Sequence, residues 1–322
     1  MTNNPHVRYY AGSMAKKALV TGGAGFIGSH LVDALLAKKW DVTVIDDLST
    51  GSRKNVDKRA DFKKLDIRSP AASVLITKLK PHAIFHLAAQ ASVPVSVKNP
   101  VHDAEVNIHA TIRLLEAASA AKVKRFIFAG TGGALSSEKT VLPTDELHAS
   151  APSSPYAIAK VASEHYGAFF RAARKLAFTS MRFANVYGPR QNPHGEAGVV
   201  AIFAKRMLAD DVVRINGTGK QTRDYIYVSD VVSAMLAAMD HPEAEGPFHV
   251  GTGIETDVNM LYAQIAQLAH YEKKPKKGPA DIGAPMRSAL DSSKLTHELR
   301  WRPEVNLEDG LRRTVEWFLN QA

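Results

Sequence analysis

The chain has 322 residues, 45% of them apolar, and a formal net charge of +9 at pH 7. That length exceeds one typical domain and predicts a main domain with a smaller lobe. The absence of cysteine excludes disulfides, thiol catalysis and cysteine-bound metal.

Residues 1–13 are polar and lack an apolar core, so they are not a secretory signal; they read as a disordered leader or tag before a start at Met14. The apolar runs beyond them are short and interrupted, and no membrane span is expected. Residues 17–21 (KALVT) form a short apolar strand, followed by glycines at 22, 25 and 28 and an apolar-periodic helix from about Phe26. This is the pattern of a dinucleotide site. Gly22 permits the tight turn, Gly25 lets the backbone approach a pyrophosphate, and Gly28 lets the helix pack on the strand. The helix N-terminus, at Phe26 and Ile27, offers free N–H groups to phosphate. A second strand, 42–45, ends in Asp46, whose carboxylate suits two ribose hydroxyls. The polar turn Asp47-Leu48-Ser49-Thr50-Gly51 closes over the adenosine. Arg53 and Lys54 suit a 2′-phosphate, but Asp46 repels one, so NAD is expected over NADP.

A third strand over 61–67 brings Asp66 and Ile67 toward adenine. A fourth, 83–89, is almost wholly apolar, as a buried parallel strand should be. Its His86 reads as a packed side chain, while Leu87, Ala88, Ala89 and, beyond them, Asn107 are counted with the cofactor site. A helical pattern over 101–121 leads to a fifth strand, 124–129. This alternation predicts an α/β fold with a doubly wound parallel sheet of the Rossmann type. Ser154 and Pro155 open the next helix as cap and first turn. On it Tyr156 and Lys160 stand four residues apart and share a face. A lysine cation beside a phenol is expected to lower the tyrosine pKa, and such a pair takes a proton from a secondary alcohol while a nicotinamide takes the hydride. Thr131, just past the fifth strand, is placed to bond the same oxygen, with Ser136 and Ser137 as competitors for that role.

A strand over 178–184 precedes the Pro/Gly/Asn-rich stretch 186–195, the best lobe boundary. The expected division is 14–184 plus about 226–252 for the cofactor domain. A smaller, discontinuous substrate lobe takes about 185–225 plus 253–322. Within the lobe a helix near 199–209 and a strand near 212–215 are expected, and residues 248–250 read as a strand returning to the sheet. The densest basic run, 271–278, lies in a loop. With no nucleic-acid-binding module beside it, the positive charge reads as solvated surface.

The segments 21–28 (TGGAGFIG), 86–90 (HLAAQ), 154–160 (SPYAIAK), 182–190 (RFANVYGPR) and 223–230 (RDYIYVSD) together resemble the extended short-chain dehydrogenase/reductase superfamily. Within it the chain is similar to the NAD-dependent epimerase/dehydratase family, and most to nucleotide-sugar 4-epimerases of the UDP-glucose 4-epimerase type, from about residue 16 to the C-terminal helix. The resemblance implies tightly held NAD, a Tyr156/Lys160/Thr131 catalytic set, a UDP-sugar substrate, an isomerase and a homodimer, with no metal; the absence of cysteine fits a cytoplasmic enzyme. The reaction it implies is transient oxidation at C4 of the sugar and re-reduction on the other face. It also implies a substrate pocket of Asn185, Gly198, Val199, Val200, Arg223 and Arg287. Arginine's planar fork suits the diphosphate there.

The chain departs from the family at Ser136-Ser137, where Tyr-Gly is common. It departs again at Asp281 and Ala284, near positions that often hold an arginine and an acid, and at Ala157, often glycine. A 4,6-dehydratase is expected to carry Asp-Glu after Thr131, where this chain has Gly132-Gly133. A decarboxylase usually carries a glutamate in that stretch. A reductase, or a non-catalytic NAD-binding relative, completes the alternatives.

Overall fold

The computed structural model describes residues 15–132, 141–194, 198–279 and 285–321. Ser136, Ser137, Asp281, Ala284 and the leader lie outside them.

The first half alternates strand and helix: β1 (Lys17–Thr21), α1 (Phe26–Ala37), β2 (Asp41–Asp46), β3 (Asp61–Lys64), α2 (Pro70–Leu79), β4 (Ala83–His86), α3 (Val93–Lys98), α4 (Pro100–Ala104), α5 (Ala110–Ala120), β5 (Arg125–Thr131), α6 (Pro155–Arg174) and β6 (Phe178–Phe183). Then follow β7 (Asn185–Tyr187), α7 (Val199–Leu208), β8 (Arg214–Asn216), β9 (Thr222–Tyr227), α8 (Val228–Asp240), β10 (Pro247–Val250), β11 (Glu255–Asp257), α9 (Val258–Leu268), β12 (Lys276–Gly278), α10 (Ser293–Leu299) and α11 (Leu307–Leu319). Seven parallel strands lie in the order β10-β6-β5-β4-β1-β2-β3. The expected doubly wound sheet is therefore present, and residues 247–250 do return to its edge beside β6.

Because helices cover both faces, the central strands carry apolar side chains in both directions. Ala18, Val20 and Phe85 face the core containing α1 and α8, whereas Leu19, Ile84 and Phe126 face the one containing α2 and α5. Fully burying each large side chain stabilises the fold by roughly 1.5–3 kcal/mol. A smaller core gathers Tyr187, Phe203, Tyr225, Leu261 and Leu311 around α7, α9 and α11. The three-stranded sheet β11-β9-β7 lies between cores: Ile226 faces the main one, and Tyr225 and Tyr227 face the smaller one.

Several elements differ from expectation. The third strand, expected over 61–67, ends at Lys64. Residues 276–278 of the basic run, expected in a loop, form β12 and pair with β8. The chain leaves the sheet after His86, so 87–89 are irregular backbone, because they bend toward the glycine turn. The helix expected over 101–121 is interrupted by a π-turn over Glu105–His109. Such turns widen the hydrogen-bond ladder and release backbone groups to other partners. Within this turn the Asn107 carbonyl accepts from Thr111 Oγ1 and Ser163 Oγ, both at 2.7 Å.

Candidate active site

Gly22 adopts φ +71°, and a Cβ there would stand 2.6 Å from the Ala88 backbone nitrogen. At Gly28 a Cβ would stand 2.2 Å from the Gly22 carbonyl oxygen. The turn therefore closes only with glycine at these two places. Gly25 caps α1 with no side-chain hydrogen bond, and the first turn carries no acid. The N–H groups of Phe26 and Ile27 thus remain available to an anion.

Asp46 ends β2 in a buried position and accepts from the backbone N–H of Ala24 (3.0 Å) and Leu48 (2.9 Å). Burial raises its pKa, and these two bonds oppose the rise. Each carboxylate oxygen keeps further lone-pair capacity for a ribose hydroxyl. Leu48 is held at φ 63°, a conformation uncommon for leucine, by its bond to Asp46. Gly51 lies so close to Ala24 that a Cβ would approach its carbonyl carbon to 2.9 Å. A cavity of about 320 Å³ opens on this turn, lined by Gly25, Phe26, Thr50, Ser52 and Asn55 and, from the far lobe, Trp317. Asp47 is spent on its own turn, accepting from Ser49. Asp66 grips Arg68 through both oxygens, and Ile67 is buried.

A buried hydrogen-bond ladder fixes the loop after β4. Thr111 Oγ1 donates to the Asn107 carbonyl, so it accepts from His86 Nε2 (2.9 Å). His86 Nδ1 then accepts from Thr21 Oγ1 (2.7 Å), which in turn accepts from the N–H groups of Leu87 and Ala88. Burial holds His86 down at about 3, so it is neutral, a packed histidine as expected. Asn107, counted as a cofactor residue, is engaged within the chain. It accepts from Gln90 N and donates to Gln90 O and Asp103 Oδ1. It shapes the loop after β4.

Ser154 caps α6 by accepting from Ala157 N, a contact worth about 0.5–2 kcal/mol. The helix buries Ala157, Lys160, Ser163, Glu164 and Gly167 along one stripe. Tyr156 and Lys160 therefore meet the end of β5, as their spacing predicts. Lys160 is buried, donates to the Ala129 carbonyl at 2.9 Å, and lies 4.7 Å from the Phe128 ring centroid and 5.9 Å from that of Tyr156. Burial lowers Lys160 to about 8, against Glu164 and Asp103, which raise it. The tyrosine does not follow the expectation of a lowered pKa. Burial pushes Tyr156 up to about 12, Asp103 adds to the rise, and a hydrogen bond with the Thr131 side chain opposes it. Burial dominates, and the Lys160 ammonium is directed to the Ala129 carbonyl rather than to the phenol.

The proposed substrate residues are divided. Asn185 opens β7, exposed and in register with Tyr225, so Asn185 and Arg223 share one face of the small sheet. Gly198 caps α7 without a side-chain bond, leaving the N–H groups of Val199 and Val200 at a helix N-terminus. Arg287 is bound elsewhere: its Nε donates to Glu255 Oε2 at 2.8 Å, and a second contact joins NH2 to Oε1. Glu255 is paired in register with Asp224, so it belongs to the other face of β9 from Arg223. The expected convergence of Arg223 and Arg287 on one anion requires Arg287 to leave Glu255.

Three buried carboxylates had no distinguishing sequence signal. Asp224 accepts from the N–H groups of Thr252, Gly253 and Leu290 and so fixes the turn after β10. Glu164 accepts from Ser180 and pairs with Arg182 (2.7 Å). Asp103, on α4, is buried and accepts from Gln90 and Asn107. Carboxylates in short helical segments ordinarily face solvent, and only the packing of α4 on α6 brings this one inward.

The Epimerase family model, described as the NAD dependent epimerase/dehydratase family, matches residues 18–251. UDP-glucose 4-epimerase of Mycolicibacterium smegmatis is 43% identical over 311 residues, covering 95% of this chain and 99% of that protein. The crystal structure of UDP-glucose 4-epimerase with UDP-glucose from Thermotoga maritima superposes with a TM-score of 0.92 at 45% identity, covering 95% and 99%. That of Thermus thermophilus UDP-glucose 4-epimerase in complex with NAD gives 0.87 at 41% identity, covering 94% and 98%. The sheet order, the glycine turn ending at Asp46 and these matches have one reading: the chain belongs to the NAD-dependent epimerase/dehydratase family.

Proposed function

We propose that the chain is an isomerase, an NAD-dependent 4-epimerase of UDP-sugars of the glucose/galactose type. The carrying observation is the meeting of Thr131, Tyr156 and Lys160 at the end of β5, one strand from β4 and the loop tied to the glycine turn. Gly22, Gly25, Phe26, Ile27 and Gly28 would hold the pyrophosphate, Asp46 the adenosine ribose, and the 87–89 loop with Tyr156 and Lys160 the nicotinamide side. NAD bound there supplies a reversible hydride acceptor for C4.

The chain's own groups handle the proton. Tyr156 accepts it from the 4-hydroxyl and returns it, while Thr131 hydrogen-bonds the same oxygen and steadies it. Lys160, anchored on Ala129, supplies a fixed positive charge that favours the phenolate once the site is closed to water. Asn185, Arg223, Arg287 and the N-terminus of α7 would bind the nucleotide diphosphate, and residues 185–225 plus 253–322 would make up the substrate lobe. The dehydratase alternative lacks support at residue 132. A Cβ on Gly132 would stand 2.4 Å from Leu290 Cδ1, so an acid there would require Leu290 to move.

The active unit is a homodimer in the cytoplasm. Val93, Val95, Val97 and Val101 on α3 and α4 and Ile158 and Phe169 on α6 are each at least 40% exposed on elements that pack together. An apolar surface of this kind marks a partner, and self-association covers it. Among the described residues no helix is long and apolar enough to cross a membrane.

Proton NMR of purified protein with a panel of UDP-, dTDP-, GDP- and CDP-sugars tests this reading. Conversion of UDP-glucose to its C4 epimer without net consumption of NAD is expected. Loss of water from the sugar, or stoichiometric NADH formation, would contradict it.

A further inference from the structure

Asp103 is 1% exposed. Its Oδ1 accepts from Gln90 Nε2 at 2.7 Å and from Asn107 Nδ2 at 3.0 Å, whereas its Oδ2 is buried and has no hydrogen-bond partner. No arginine or lysine among the described residues lies in ion-pair contact with it. A buried carboxylate in this condition costs several kcal/mol unless its charge is used, and an orphaned buried oxygen calls for an account. Its surroundings supply one. Asn107, which donates to Asp103, also accepts from Ser163 on the buried stripe of α6 that holds Lys160, and from there Asp103 bears electrostatically on both Lys160 and Tyr156.

We propose that Asp103 is a positioning residue of the Tyr156–Lys160 pair: one oxygen ties the loop after β4 to the π-turn through Gln90 and Asn107, and the other presents a fixed negative charge to the pair, so that its charge as well as its shape sets how the pair works. Asp103 holds Lys160 as a cation inside the core and opposes ionisation of Tyr156 until substrate and cofactor change the local charge. The other groups bearing on the pair are few. Glu164 on α6 supports the lysine cation but is shared with Arg182 and Ser180. His86 on β4 is neutral, and Thr131 on β5 contributes a hydrogen bond rather than a charge. Asp103 is thus the acidic group that acts on both members of the pair.

The inference rests on Tyr156 and Lys160 being the proton-transfer pair, and its test separates from the epimerase reading. Asp103→Asn keeps an acceptor oxygen for Gln90 and Asn107 while removing the charge. Protein carrying ¹³Cζ-tyrosine, with NAD as purified, is titrated by NMR, and the Tyr156 resonance is assigned by its loss in Tyr156→Phe. We expect Asp103→Asn to move the Tyr156 titration at least half a pH unit lower. The rising limb of the rate–pH profile should move with it, which is about a threefold faster rate on that limb. The melting temperature should hold within a few degrees. An unmoved Tyr156 titration in folded Asp103→Asn, or activity lost only in step with stability and bound NAD, would overturn the proposal. The NMR arm needs no sugar nucleotide, so it stands even if no UDP-sugar is turned over. Should Asp103→Asn fail to fold, Asp103→Ser, which also removes the charge, takes its place in the same titration, and an unmoved Tyr156 resonance there contradicts the proposal.

Discussion

Lys160 donates to the Ala129 carbonyl at 2.9 Å, so the buried cation of α6 is pinned to the strand that ends in Thr131. This contact fixes the helix and strand ends relative to each other. In the proposed chemistry the lysine would therefore act on the phenol as a nearby charge rather than as a hydrogen-bond donor.

Lys160→Met should therefore slow turnover without erasing it. Removing a cation near the phenol raises the phenol pKa, so the rising limb of the rate–pH profile moves to higher pH. Steady-state rates from pH 6 to 10 check this; a profile unmoved from wild type would exclude Lys160 as an electrostatic partner.

Asp46 faces the site from a buried position between Ala24 and Leu48. Its charge should repel a 2′-phosphate, so wild-type protein should bind NAD more tightly than NADP. Asp46→Ser should narrow that preference by about tenfold or more, equivalent to ~1.4 kcal/mol. Calorimetric affinities for both dinucleotides read the ratio directly.

Much of this organisation is legible in the amino-acid sequence. The glycine turn, the alternating strands and the Tyr-x-x-x-Lys spacing are local patterns, and local patterns survive folding. What is not legible depends on depth or on distant partners. The direction of the Tyr156 shift follows from burial, which spacing does not reveal. The Arg287–Glu255 pair spans 32 positions, so Arg287 alone reads as a phosphate ligand. The π-turn at Glu105–His109 has no compositional mark, and the burial of Asp103 depends on the packing of α4 on α6, which local sequence does not reveal.

Acid should weaken the fold in a defined range. Burial lowers His86 from 6.5 to about 3 and His249 from 6.5 to about 4. Between those values and 6.5 the unfolded chain binds protons that the folded chain does not, so stability rises with pH there and falls as pH drops below 6.5. Melting temperatures measured from pH 7.5 to 5 should decline steadily. His249→Gln, which keeps a donor for the Thr144 carbonyl, should decline less steeply.

The exposed valines of α3 and α4 and Phe169 of α6 make the proposed dimer testable. Val97 is 62% and Phe169 56% exposed, so acidic substitutions there should leave each folded chain intact. Sedimentation at micromolar concentration should show a dimer for wild type and a monomer for Val97→Glu/Phe169→Glu. A wild-type monomer would remove the idea.

The most direct test of the proposed chemistry is Tyr156→Phe, which keeps the ring and removes the proton-transfer group. General acid–base contributions are typically 10²–10⁴ in rate, so UDP-glucose epimerisation followed by proton NMR should fall by on the order of 10² or more while NAD stays bound and the melting temperature is held. Thr131→Val, which removes one hydrogen bond to the same oxygen, should lose less. If folded, NAD-loaded Tyr156→Phe epimerises within about threefold of wild type, Tyr156 is not the acid–base group and the account is wrong.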